Sequence, residues 1–260
     1  MPGDGADHVL GRVLLASHGR FPPCVRSVTA TDAVSANGVR IRVRPWRGRD
    51  DTAECLAAPI GAIVPSELVV DALERARSSG FGRAVTPALP PYEWRPYLDA
   101  GFDVRERLHL LGHHLLDLPS RPDVRTRRVT RRDRSRVLEI DHVSFEPFWR
   151  LDAAGLDEAV HATPSSRFRL TRDGAGYALF GRAGTRGYVQ RLAVAPGAQG
   201  RGIGAALVVD GLHWLRRWRS HEALVNTQES NERAVALYER LGFRKRPGGL
   251  AVLEIDLGDR

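Results

Sequence analysis

The chain has 260 residues, a formal charge of +8, and 42% hydrophobic against 27% charged residues. That length accommodates two domains of ordinary size, and the balance excludes a disordered or fibrous chain. No stretch approaches eighteen uninterrupted apolar residues and Met1–Asp7 is acidic, so neither a membrane span nor a secretory leader is expected and the cytoplasm is the expected compartment.

Cys24 and Cys55 lie outside any metal-ligand spacing and read as reduced thiols. The adjacent His113 and His114 would face opposite sides of a strand, so no metal site is expected. Lys245 is the sole lysine, and arginine carries nearly all the positive charge. Arginines crowd Arg121–Arg136 without interleaved aromatic residues, which reads as a solvated linker and helix face and argues against nucleic acid as a partner.

In chain order, Asn37-Gly38 is a turn signal before the alternating strand pattern Val39–Val43. Glu67–Ser78 has helical spacing at Leu68, Val69, Ala72, Leu73 and Ala76, with Gly80 as its stop. Arg83–Thr86 reads as a short strand. Asp117-Leu-Pro-Ser-Arg-Pro-Asp123 is the clearest break, placing a boundary between domains 1–118 and 119–260. Beyond it, Thr130 caps a helix to about Val143, with Val137, Ile140 and Val143 on one side, and a second helix follows. Arg167–Leu170 and Tyr177–Phe180 flank the hairpin signal Asp173-Gly-Ala-Gly176, and Tyr188–Val194 is the next strand. A helix spans about Gly202–Trp218, then a strand Ala223–Asn226, a helix capped by Ser230 or Asn231 and ended by Gly242, and a last strand, Leu250–Ile255, expected to close the second domain's sheet.

Tyr97-Leu-Asp-Ala-Gly-Phe102 and Tyr238-Glu-Arg-Leu-Gly-Phe243 share Y-x-x-x-G-F in the same order of elements, which suggests two copies of one α/β fold with a mixed sheet.

Between the strand Tyr188–Val194 and its following helix lies Gln199-Gly-Arg-Gly-Ile-Gly204. Glycines there let backbone amides close around phosphate oxygens at a helix start, where the dipole also favours an anion. No Gly-Lys-Ser/Thr ending makes it a P-loop, and no acidic residue follows as a dinucleotide fold requires. On its own the loop has an ordinary strand-to-helix turn as its lesser reading.

The run Val189-Gln-Arg-Leu-Ala-Val-Ala-Pro-Gly-Ala-Gln-Gly-Arg-Gly-Ile-Gly204, followed by Asn231 and Ala236-Leu-Tyr-Glu-Arg-Leu-Gly-Phe243, resembles the GCN5-related N-acetyltransferase (GNAT) superfamily over about Val124–Leu257. Gln199, Gly202 and Gly204 meet its Q/R-x-x-G-x-G/A signature. The resemblance implies acetyl-CoA as acyl donor. It implies backbone groups of Leu192, Ala193 and Val194 on the pantetheine arm; Gln199, Gly200, Arg201, Gly202, Ile203, Gly204 and Ala205 around the pyrophosphate; and Asn231 at the coenzyme. It also implies Tyr238 as the acid that protonates the departing thiolate, with core packing as the other reading of Tyr238 and helix capping that of Asn231.

Ile140-Asp-His-Val-Ser-Phe145 and Trp149 are similar to the ribosomal-protein alanine acetyltransferase branch, in which a glutamate lies twelve residues before the tyrosine. Here that position is Asn226, which cannot accept a proton at neutral pH, and Glu146, Glu229 and His142 stay open as bases. The first half has no such glycine loop, since Ala57–Val64 offers one glycine and a proline, and the layout is similar to tandem members such as mycothiol synthase with one degenerate domain. The expected activity is acetyl transfer to a primary amine, on a small molecule or a protein N-terminus, by direct attack. A non-catalytic acetyl-CoA-sensing module is the rival reading.

Overall fold

The computed structural model describes residues 33–59, 61–121 and 123–258; Cys24 and Met1–Asp7 lie outside them. Chain contacts divide these residues into two compact units, one holding the residues up to Leu108 together with those from Gly248 onward, the other His109–Pro247. The sequence break at 118/119 therefore falls ten residues inside the second unit. Both units mix sheet and helix, the α/β class expected.

The first unit opens with an antiparallel meander, β1 (Ala33–Ala36), β2 (Val39–Trp46) and β3 (Arg49–Ala58). Asn37 and Gly38, both at positive φ, make the β1–β2 turn, as an Asn-Gly pair favours. Helix α1 (Ser66–Ser78) returns the chain to β4 (Arg83–Val85), which pairs in parallel with Thr52–Glu54 of β3. A short helix, α2 (Arg95–Asp99), leads into β5 (Asp103–His113). Leu68, Val69, Ala72, Leu73 and Ala76 of α1 are buried against Ile41, Val43, Ala53, Cys55 and Ala57 of the meander, the helical period meeting the two-residue period of strands.

The second unit contains β6 (Thr126–Arg128), α3 (Arg134–Ser144), α4 (Ala153–His161), β7 (Ser165–Thr171), β8 (Gly176–Ala183) and β9 (Arg186–Val194). Helix α5 (Ile203–Arg217), β10 (Glu222–Gln228), α6 (Glu232–Arg240) and β11 (Arg244–Lys245) complete it. Strands β6 to β9 form an antiparallel run, β10 lies parallel to β9, and β11 pairs with Leu111 and Gly112 at the end of β5. Thr130 opens the α3 segment through reciprocal bonds with Asp133. Val143, expected on the inner side of α3, is 60% exposed; the buried stripe is Val137, Ile140 and Asp141. Gly211 lets α5 approach the sheet, because a Cβ there would lie 2.1 Å from the Phe180 ring.

The final strand, β12 (Leu250–Asp256), departs from expectation. It forms antiparallel ladders with β4 and β5 of the first unit, Glu254 opposite Val85 and Leu250 opposite Leu108. It thus closes the first unit's sheet, and Ala251, Leu253 and Leu257 enter that unit's core.

The two Y-x-x-x-G-F segments have matching local geometry. Tyr97 and Phe102 meet edge to face at 5.5 Å, Tyr238 and Phe243 at 5.3 Å. The N–H of each phenylalanine donates to the carbonyl of its tyrosine at 3.0 Å, and each glycine, Gly101 and Gly242, has φ of +93°. The pattern is a helix terminator that packs two rings, and it forms with or without a glycine loop nearby.

Candidate functional site

The parallel ladder between β9 and β10 covers only Arg186–Tyr188 against Glu222–Leu224. Beyond it the strands run on to Val194 and Gln228 without pairing to each other, leaving one edge of β9 open. Between Leu179 and Phe180 the β8–β9 register slips so that Gln190 is an extra residue, and a bulge of this kind re-aims a strand. Past the bulge, Ala195 N–H donates to Ala175 O at 2.8 Å. Strand alternation then turns the main-chain groups of Ala193 toward β8 and those of Leu192 and Val194 to the open side. The Val194 carbonyl already accepts from Ser144 Oγ at 3.2 Å and Gln199 Nε2 at 2.8 Å. Of these two outward-facing residues, Leu192 is therefore the one whose carbonyl is not already taken by the loop and α3.

At the end of β9, a turn through Pro196–Ala198 leads into the glycine loop. Gly200 and Gly202 have φ of +80° and +77°, a region costly for residues with a Cβ. The first intrahelical bond of α5 runs from Ala206 N–H to Gly202 O at 2.9 Å. The N–H groups of Ile203, Gly204 and Ala205 thus lack intrahelical acceptors, and no acidic side chain occupies this first turn. Ile203 itself is buried in the unit's core, so backbone is all it can offer a ligand. The Gln199 side chain braces the loop, its Oε1 accepting from Arg233 Nη1 of α6. Arg201 is exposed, near enough to Asp173 to lower that carboxyl after the Thr171 and Ala175 hydrogen bonds.

Asn231 caps α6, its Oδ1 accepting from Ala234 N–H at 3.0 Å. Tyr238, on the inner side of α6, is 5% exposed, and burial raises its phenol above the ordinary value; it is protonated at neutral pH. Of the open bases, His142 Nε2 is hydrogen-bonded to Leu151 O at 2.8 Å, Glu229 lies 3.8 Å from His109 Nδ1, and Glu146 is exposed.

One cluster escaped the reading of the sequence. Asp141 is fully buried and takes Arg191 Nε and Nη2 at 2.8 and 2.9 Å, the Tyr177 hydroxyl at 2.5 Å and Leu151 N–H at 2.9 Å. Arg191 Nη2 also donates to Trp149 O at 2.6 Å, and its guanidinium lies over the Phe145 ring at 3.5 Å. Burial pushes the Asp141 carboxyl up, but the Arg191 charge and these hydrogen bonds outweigh it and hold the group below the ordinary value. The network ties the α3–α4 connection to the strand that bears the open edge. Its signal was an aspartate inside an apolar helical stripe and an arginine midway along an apolar strand.

Comparison with known proteins bears on this arrangement. Residues 135–243 match the acetyltransferase (GNAT) family. A mycothiol acetyltransferase of Parafrankia sp. is 45% identical over 65 residues, 25% of this chain and 20% of that protein. One from Rhodococcus erythropolis is 28% identical over 219 residues, covering 68% of this chain and 72% of its own. The first of these matches thus spans about a fifth of its relative's length. A tandem GNAT protein from the clavulanic acid biosynthesis pathway superposes with a TM-score of 0.62 at 16% identity, over 88% of this chain and 82% of its own. The open β9 edge, the glycine loop and the capped tyrosine helix all lie within residues 135–243, the segment that matches the acetyltransferase (GNAT) family.

Proposed function

We propose that the second unit transfers the acetyl group of acetyl-CoA to a primary amine. The observation that carries this reading is the open β9 edge beside a helix start whose amides are bare and whose first turn has no carboxylate. The coenzyme's arm would add along β9 through Leu192, in the manner of an extra strand. Its pyrophosphate would lie on the amides of Gly202–Ala205. Asn231 caps through Oδ1, which leaves Nδ2 to donate to the coenzyme.

The acceptor nitrogen attacks the thioester carbonyl, a C–N bond forms and the C–S bond breaks. Tyr238 gives its proton to the leaving sulfur, and water takes the amine's proton, since Asn226 has no basic site. The names of the mycothiol acetyltransferase relatives favour a small-molecule acceptor over a protein N-terminus. In this reading the first unit holds no coenzyme, and the protein works in the cytoplasm; among the described residues no helix is long and apolar enough to cross a membrane.

Calorimetry should give one acetyl-CoA per chain, and an amine panel should release free thiol. Tyr238→Phe should lower kcat by about 10²-fold with coenzyme affinity unchanged. Tight coenzyme binding without turnover on any amine would replace this reading with the sensing module that Asn226 keeps open.

A further inference from the structure

The other end of α5 carries a second concavity. Some 15 residues separate the ends of this helix, about 22 Å at the rise of an α-helix, so the concavity is remote from the glycine loop. It is a half-open hollow of about 300 Å³ lined by Ser165, Ser166, Arg182, Trp214 and Trp218, the lower end of the range for small-ligand sites.

Two observations give it a chemistry. First, its lining has a guanidinium and two hydroxyls but no carboxylate. Arg182 Nη1 donates to Gly184 O at 3.1 Å and Nη2 reaches Ser165 Oγ at 3.5 Å, while its Nε is shut from solvent without an acceptor. Second, Trp218 is 55% exposed, with Arg182 5.8 Å from its ring centre. A surface indole next to a cation is a stacking platform for a planar ring.

From this geometry we infer that the concavity binds a free mononucleotide, its base stacked on Trp218 and its phosphate held by Arg182 and the hydroxyls of Ser165 and Ser166. Arginine pairs with phosphate in a planar, two-pronged manner, and an aromatic face accepts any base.

The test is calorimetry of the full chain with AMP under saturating coenzyme A, which blocks the adenine-nucleotide site of the glycine loop. One equivalent of AMP should bind. Trp218→Ala should weaken it at least about tenfold. Arg182→Gln should weaken it about threefold or more while leaving the thermal midpoint unchanged, which separates loss of a ligand contact from loss of fold. A ten-residue oligothymidylate distinguishes the two sources of the same chemistry. Absence of AMP binding, with or without binding of the oligomer, overturns the inference, as does AMP binding that saturating coenzyme A abolishes or that both substitutions leave unchanged.

Discussion

The segments that follow β3 and β9 stand at the same point of the two units. Each comes after a three-pair parallel ladder, Thr52–Glu54 against Arg83–Val85 and Arg186–Tyr188 against Glu222–Leu224, and each leads into the unit's long helix. Yet α1 begins on Pro65 with Glu67 in its first turn, whereas α5 begins on Gly202 with no acid there. A carboxylate near a helix N-terminus already satisfies the field that would attract a phosphate. One architecture can therefore carry or lack an anion cradle through a few residues at one helix start.

The same comparison separates the strands. Three residues past the parallel ladder β3 carries Ala57, buried in an apolar core, and β9 carries Arg191, paired with buried Asp141. Removing one partner leaves a buried charge uncompensated, so Asp141→Ala should cost about 3–5 kcal/mol in denaturant unfolding. A loss under 1 kcal/mol, similar to that of a surface change, would mean that water replaces the carboxylate. Next in size, α1 meets its sheet through Ala72 and Ala76 while α5 does so through Gly211. Gly211→Ala should destabilise by about 1–3 kcal/mol, whereas an unchanged midpoint would show that Phe180 can swing aside.

Gly204→Glu copies the acid of α1 into the same, second position of α5, where the nearest side-chain atom to a new Cβ is Leu237 at 3.4 Å. It should weaken acetyl-CoA binding by about tenfold or more without unfolding, and coenzyme affinity equal to that of the parent would break the comparison drawn above. The smallest effect is on pH dependence. The ring stack Tyr238–Phe243 continues to His113 at 5.2 Å, and His113 Nδ1 accepts from Leu115 N–H at 2.9 Å. Burial lowers the pKa of His113. The unfolded chain, near pH 6.5, binds the proton first, so this contribution to stability is complete above that pH and declines as pH falls below it. Hydrogen exchange at the end of α6 should rise on acidification toward pH 5, with α2 unaffected, and His113→Phe should remove the difference.

Much of this was legible in the sequence. The periodicities located α1, α5 and the β7–β9 meander because each has a buried face to satisfy, and Asn231 and Gly242 marked the limits of α6 through capping and positive φ. The glycine loop and the tyrosine were legible as motifs with a definite spacing. Two things were not. Apolar periodicity searches for hydrophobic residues, so it placed Val143 on the stripe that Asp141 occupies. And the sequence of β12 says that it is a buried strand but not which sheet edge it joins, since pairing depends on residues that lie over 140 positions away, as Glu254 and Arg105 do.

The placement of β12 also constrains the order in which the chain can mature on the ribosome. Synthesis delivers β1 to β5 first, but β4 gains its second neighbour only after β12 has emerged. The whole second unit is translated in the interval, so the first unit must wait with one edge of a strand uncovered, a state open to mispairing. A gene fragment beginning at codon 119 would reverse the problem: it would express β12 without β4 and β11 without Leu111 and Gly112.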